Sequence, residues 1–154
     1  MPNLTVNYNK TLKLTNVIVL EIPFGMVKDG NILTEQMNNY IKSKGLQPIG
    51  PFIQYTSTLE GKTDKMDVTI RYLQQTTGFI CKTESPYKME SILRVPNCMY
   101  VRYCGQAEKL KFAYDKLMLT AFEENISLKG DNYTVYIDGV DDQVTVDIFM
   151  EKAS

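Results

Sequence analysis

The chain has 154 residues, 44% hydrophobic and 23% charged, with 17 basic and 18 acidic side chains and a net charge of −1. That length suffices for one domain with a real core, burying roughly 68–70% of the unfolded chain's surface. No apolar run approaches the roughly 18 residues of a membrane-spanning helix, and no window gathers Lys and Arg into a phosphate-tracking surface, so direct nucleic-acid binding is not expected.

The chain contains no histidine, which removes Ser-His-Asp and Cys-His catalysis and the commonest metal sites together. Any catalysis would fall to carboxylates, tyrosines, lysines or water. Cys81, Cys98 and Cys104 are too few for a four-thiolate zinc site and are expected as buried free thiols. Neither a metal nor a cofactor is expected. The opening "MPNLTVNYNKTLKLTN" has no basic segment leading into an apolar stretch and a small-residue cleavage site, which predicts a cytoplasmic protein.

In chain order, "LKLTNVIVLEI" (12–22) reads as a strand ending near Pro23. "ILTEQMNNYIKSKG" places Leu33, Met37, Tyr40 and Ile41 on one helical stripe, with Asn31 as N-cap and Gly45 as the stop. "IGPFIQYTST" and "KMDVTIRYLQQ" read as two strands joined by the polar loop "LEGKTD". Residues 76–96 read as a connection with room for a short strand at 78–82. "NCMYVRYCG" is a strand ending at Gly105, and "QAEKLKFAYDKLMLTAFEEN" sets Leu110, Ala113, Tyr114, Leu117, Met118 and Ala121 on one helical stripe. "DNYTVYIDGVDDQVTVDIFM" closes the series as two strands around a turn, with "DG" at 138–139 as the turn signal.

Strand, helix, strand, strand thus occurs twice, over about 12–75 and 96–152. "MDVTI" at 66–70 answers "VDIFM" at 146–150, and "FIQYTS" at 52–57 answers "YTVYID" at 133–138. Self-similarity at this spacing predicts a duplicated unit within a single domain, 1–154. The expected fold is α+β, a curved and mainly antiparallel sheet with both helices on its outer face and a central groove.

Alternation along the last two strands would set Val135, Ile137, Val144, Val146 and Ile148 on one face and Thr134, Tyr136, Thr145, Asp147 and Phe149 on the other. A carboxylate, hydroxyls and aromatic rings suit a ligand groove, and equally a half-wetted sheet face with ordinary cross-strand pairs. In the first half Tyr55 answers Tyr136, and Asp67, Thr69 and Arg71 share a face, where an Asp67–Arg71 pair is the structural alternative. Arg102 either neutralises Asp147, favouring a neutral or anionic ligand over a cation, or reaches solvent along its apolar stem. Glu21 is a further candidate acid.

"YIKSKGLQPIGPFIQY", "MYVRYCG" followed by "FAYDKLMLTAFEEN", and "YTVYID…VDIFM" together resemble the GyrI-like small-molecule-binding domains, related to the effector-binding domains of MerR-type and AraC-type multidrug-responsive regulators. The resemblance spans about residues 12–152. It implies two strand-helix-strand-strand units curved around a groove that takes lipophilic, often cationic aromatic compounds, using stacked rings and a buried carboxylate. Each ring would add about 0.5–2 kcal/mol of cation–π attraction. Many relatives carry a glutamate two residues before the tyrosine on the strand matching Tyr133–Ile137. Here Thr134 stands there, leaving Asp147, or Asp67 by the pseudo-symmetry, to supply the charge.

The expectation is therefore a stand-alone, cytoplasmic protein that sequesters or senses a hydrophobic or aromatic compound, with Tyr55, Asp67, Thr134, Tyr136, Asp147, Phe149, Arg102 and Glu21 at the site. One alternative is a hydrolase of a reactive small molecule with Asp147 or Glu21 as general base. Another is a gyrase-inhibitor-like module that binds a protein partner. Enzymatic activity stays open, with a non-enzymatic role favoured.

Overall fold

A computed structural model describes residues 4–23, 29–60 and 66–153, with the backbone alone at 58–60 and 66–67. Its elements are β1 (Asn7–Ile22), α1 (Gly30–Ser43), β2 (Pro48–Glu60), β3 (Met66–Thr76), β4 (Tyr87–Gln106), α2 (Lys111–Glu123), β5 (Asp131–Val140) and β6 (Gln143–Glu151). Six strands with antiparallel pairing and two helices make the fold α+β. No helix among the described residues is long and apolar enough to cross a membrane. The chain divides into two compact units, Lys13–Leu93 and Met1–Leu12 with Arg94–Ser154.

In the Lys13–Leu93 unit, β3 is the central strand and pairs with β1 and β2. The apolar side of this sheet, Ile18, Leu20, Ile22, Ile70 and Tyr72, is covered by Met37 and Ile41 of α1, with Leu33 and Tyr40 at the border. That is the stripe expected from the helical period. The helix starts earlier than expected, because Asp29 rather than Asn31 occupies the N-cap and makes no side-chain capping bond. Gly45 ends it at φ 79, where the amides of Gly45 and Leu46 donate to the carbonyls of Lys42 and Ile41, the Schellman arrangement.

Two expectations for this unit need correction. Residues 78–82 form no strand, and β4 begins at Tyr87, well before Pro96. Side-chain contacts hold the connection instead: Ile80 is buried in the core, while Glu84 accepts from Tyr40 Oη at 2.5 Å and from Lys44 Nζ at 2.6 Å. Tyr87 stacks on Tyr40 with ring centroids 4.2 Å apart. The loop "LEGKTD" lies largely outside the described residues.

In the other unit, β6 is central and pairs with β4 and β5. Met99, Val101, Val146 and Ile148 pack under Ala113, Leu117 and Ala121 of α2. This helix stops like the first, with Asn125 at φ 56 and the Ile126 amide donating to the Ala121 carbonyl. Met118, expected in the core stripe, is 58% exposed, because α2 is apolar on both sides and only the Ala113–Leu117–Ala121 side meets the sheet. The hairpin turns at Asp141–Asp142, with Asp141 at φ 57, rather than at "DG" 138–139, which remain in β5.

Candidate functional site

β5 and β6 pair Gly139 with Val144 and Asp138 with Thr145, and then the register shifts. Beyond the shift Tyr136 faces Val146, Val135 faces Asp147 and Tyr133 faces Phe149. Had the ladder run on from the turn without interruption, Tyr136 would have met Asp147 and Thr134 would have met Phe149, the face expected from alternation. One extra residue at Ile137 turns the preceding strand over. Thr134 and Tyr136 consequently lie on the helix side: Thr134 is 2% exposed and bonded to the Tyr114 hydroxyl of α2, and Tyr136 packs against the core beneath that helix. The expected grouping of Thr134 and Tyr136 with Asp147 and Phe149 is thereby corrected, and Tyr133 and Val135 take their places.

On the helix-free face Asp147 sits directly opposite Arg102, and Phe149 opposite Tyr100. Arg102 grips the carboxylate with both ends, Nε to Oδ1 at 2.7 Å and Nη2 to Oδ2 at 3.0 Å, and Tyr100 Oη donates to Oδ1 at 2.8 Å. The pair is lopsided in exposure, with side-chain accessibilities of 55% for Arg102 and 13% for Asp147. The rings of Tyr100 and Phe149 meet at 5.0 Å in a tilted pair, and Lys10 Nζ lies 5.1 Å from the Tyr100 centroid. Burial, and then the hydrogen bond to Asp147, push the Tyr100 phenol up to about 12, while the same carboxylate raises the Arg102 guanidinium further. Tyr100 thus stays a neutral donor and Arg102 a fixed cation.

Further along the same sheet a depression of about 220 Å³ is lined by Cys104, Gly105, Asp138, Gln143 and Thr145 among others. Cys104 Sγ lies 3.4 Å from Thr145 Oγ1 there and is exposed, as is Cys81. Only Cys98 matches the expected buried thiol, and burial pushes its pKa up to about 11.

In the Lys13–Leu93 unit, Glu21 pairs with Arg71, Nε to Oε1 at 3.1 Å, directly across β1 and β3. Arg71 also lies 5.3 Å over the Tyr55 ring. Arg71 is therefore tied to Glu21, whereas Asp67 has only its backbone described, opposite Leu59. Of the expected residues, the structure joins Asp147, Phe149 and Arg102 on one face and Tyr55 and Glu21 on another. Tyr100 is the contributor that alternation left unassigned; its place opposite Phe149 follows once the β4–β6 register is known.

No protein-family model matches the chain, and no curated protein matches it. Its fold recurs in solved structures at low identity. The C-terminal domain of EcmrR aligns with a TM-score of 0.69 and 16% identity, covering 98% of this chain and 98% of that domain. The EcmrR–DNA complex gives 0.67 and 17% over 97% of this chain but 57% of the EcmrR chain, so this chain spans little more than half of that protein. SAV2435 bound to tetraphenylphosphonium gives 0.53 and 7%, covering 95% of this chain and 94% of that one. At such identities the likeness establishes a shared fold.

Proposed function

We propose that the chain binds a hydrophobic or aromatic small molecule on the helix-free face of its β4–β6–β5 sheet. The observation that carries this reading is the Arg102–Asp147–Tyr100 cluster beside the Phe149 ring. It presents ring surface, neutral hydroxyl and exposed guanidinium together, the mix of apolar wall and few polar groups usual at ligand sites. The fold shared with the EcmrR C-terminal domain, and with a protein whose structure holds an aromatic cation, supports the class of ligand.

The charge preference follows from the pairing. Both oxygens of Asp147 are already engaged, so the group that faces solvent is cationic, and the ligand is an aromatic compound that is neutral or carries an acidic group. Tyr100 stacks against its ring, Phe149, 6% exposed, backs the Tyr100 ring from beneath, and Arg102 uses its remaining N–H donors on the acidic group. The depression at Cys104 and Thr145 is small against the roughly 300–1,000 Å³ usual for such sites, so ligand contact extends toward Arg102 and the half-buried Tyr100 ring.

Tyr55, Arg71 and Glu21 repeat the motif in the other unit, with acid and arginine exchanged between edge and central strand. We take the two units as copies of one strand-helix-strand-strand ancestor. The test is a thermal-shift screen with cationic, neutral and anionic aromatic compounds. A ligand at about 100 times its dissociation constant stabilises by roughly 2.7 kcal/mol. Shifts with neutral and anionic compounds are expected, those with anionic compounds falling away in Arg102→Gln and both kinds in Tyr100→Ala. A preference for cations would overturn the charge assignment, and a flat response would overturn the binding reading.

A further inference from the structure

α2 carries a second feature that ligand binding does not use. On the side opposite its buried Ala113–Leu117–Ala121 stripe, Phe112, Met118, Leu119 and Phe122 are 42%, 58%, 56% and 80% exposed. Phe112, Asp115, Leu119 and Phe122 follow one another at steps of three, four and three, the spacing of a helix–helix seam. Single exposed apolar residues need no explanation, but four large ones on a single helix face do.

The charges on this helix run the wrong way for a helix standing alone. Lys109 and Lys111 outnumber Glu108 at its N-terminal end, and Glu123 and Glu124 stand at its C-terminal end, so the net charge at each end is opposed by the helix dipole. Lys111 Nζ sits 5.5 Å from the Phe112 ring centroid, on the seam itself. Turned end for end, the same helix is its own electrostatic complement. We infer that α2 packs antiparallel against α2 of a second copy of this chain, related by a twofold axis that passes between Asp115 and Leu119 on the exposed side of the helix.

In that register Phe112 meets Phe122 of the second copy, Leu119 meets Asp115, and Lys109, on the same flank of the seam as Glu123, comes alongside Glu123 of the second copy. The twofold makes every contact occur twice, as in an isologous dimer. The reversed charges that oppose the dipole within one copy become the pairs that fix orientation between two.

Analytical ultracentrifugation over a concentration series of the whole chain tests this. A reversible dimer is expected, with Phe122→Glu raising its dissociation constant at least tenfold. Since Phe122 is 80% exposed, that substitution leaves the fold intact, which circular dichroism verifies. Lys109→Glu or Glu123→Lys alone weakens association about two- to fivefold, as exposed pairs do, and the two reversals together restore it. A monomer throughout, a dimer indifferent to Phe122→Glu, or charge reversals that fail to rescue one another would each overturn the inference. Ligand binding is read separately by thermal shift and is untouched by these variants.

Discussion

Thr134→Val tests the register of the last hairpin in one substitution. Valine keeps the shape of threonine and removes its hydroxyl, which accepts from Tyr114 and donates to Asn132 Oδ1 at 3.2 Å. Tyr114 is packed against the core, and burial raises its pKa, so its hydroxyl loses an acceptor that water cannot replace. An orphaned buried hydroxyl costs about 1–3 kcal/mol, whereas a solvent-facing Thr→Val on a strand changes stability by well under 1 kcal/mol. At about 2–4 °C per kcal/mol for a chain of this size, the melting temperature should fall by roughly 2–12 °C. With no tryptophan in the chain, far-ultraviolet circular dichroism in urea is the suitable assay. Tyr114→Phe in the Thr134→Val background should recover much of the loss, because both partners are then apolar. Ligand binding should survive in both variants, since Thr134 lies on the helix side. A Thr134→Val protein of unchanged stability, with an additive Tyr114→Phe effect, would refute the register and with it the assignment of faces.

The Tyr100 phenol, ordinarily near 10, is raised to about 12 in the fold, so its contribution to stability is whole below pH 10 and is lost as pH climbs through about 12. Tyr100→Phe should flatten the decline of the urea midpoint across that window. Lys44 first, and then Tyr40, hold the Glu84 carboxyl below its ordinary 4.5, so its contribution is present above that value and disappears on acidification; Glu84→Gln should flatten the acid limb of stability. A disulfide reagent should titrate the exposed thiols Cys81 and Cys104 rapidly and Cys98 only on unfolding. Gly45→Ala should cost about 1 kcal/mol from backbone strain at φ 79 although its methyl would meet nothing within 4 Å, while Asn125→Gly should cost little or stabilise.

The elements were legible because their periods are strong. Met37 and Ile41 on one helix, and Ala113, Leu117 and Ala121 on the other, could face only a sheet, and Gly45 marked its helix end by the one conformation it alone adopts freely. The order strand, helix, strand, strand followed from the same signals. Face assignment failed where a single residue decides it. Nothing in "YTVYIDGVDD" announces that Ile137 is inserted or that the turn falls at Asp141–Asp142, yet the insertion sends Thr134 and Tyr136 to the opposite side. The start of β4 was hidden for a related reason: Pro96 reads as a strand terminator, whereas here the strand passes through it and through Asn97 at φ 61. The Glu21–Arg71 pair was out of reach because its partners are 50 residues apart in sequence.

The sign of the charge at the candidate site depends on geometry more than on composition. An acid and a base together read as neutral, and either could be the group left for a ligand. Here the carboxylate is the buried member and holds three charge-assisted or hydroxyl bonds, while the guanidinium stands 55% exposed. A cationic ligand would have to take Asp147 from Arg102, leaving a guanidinium displaced beside it and giving up a two-point contact of the strongest common kind. An acidic or neutral aromatic ligand needs no such exchange. On the proposed reading it would add to the outer side of Arg102 and leave the inner pair intact, with Asp147 aiming the arginine at the ligand and the Tyr100 ring, held from beneath by Phe149, setting how closely a ligand ring approaches.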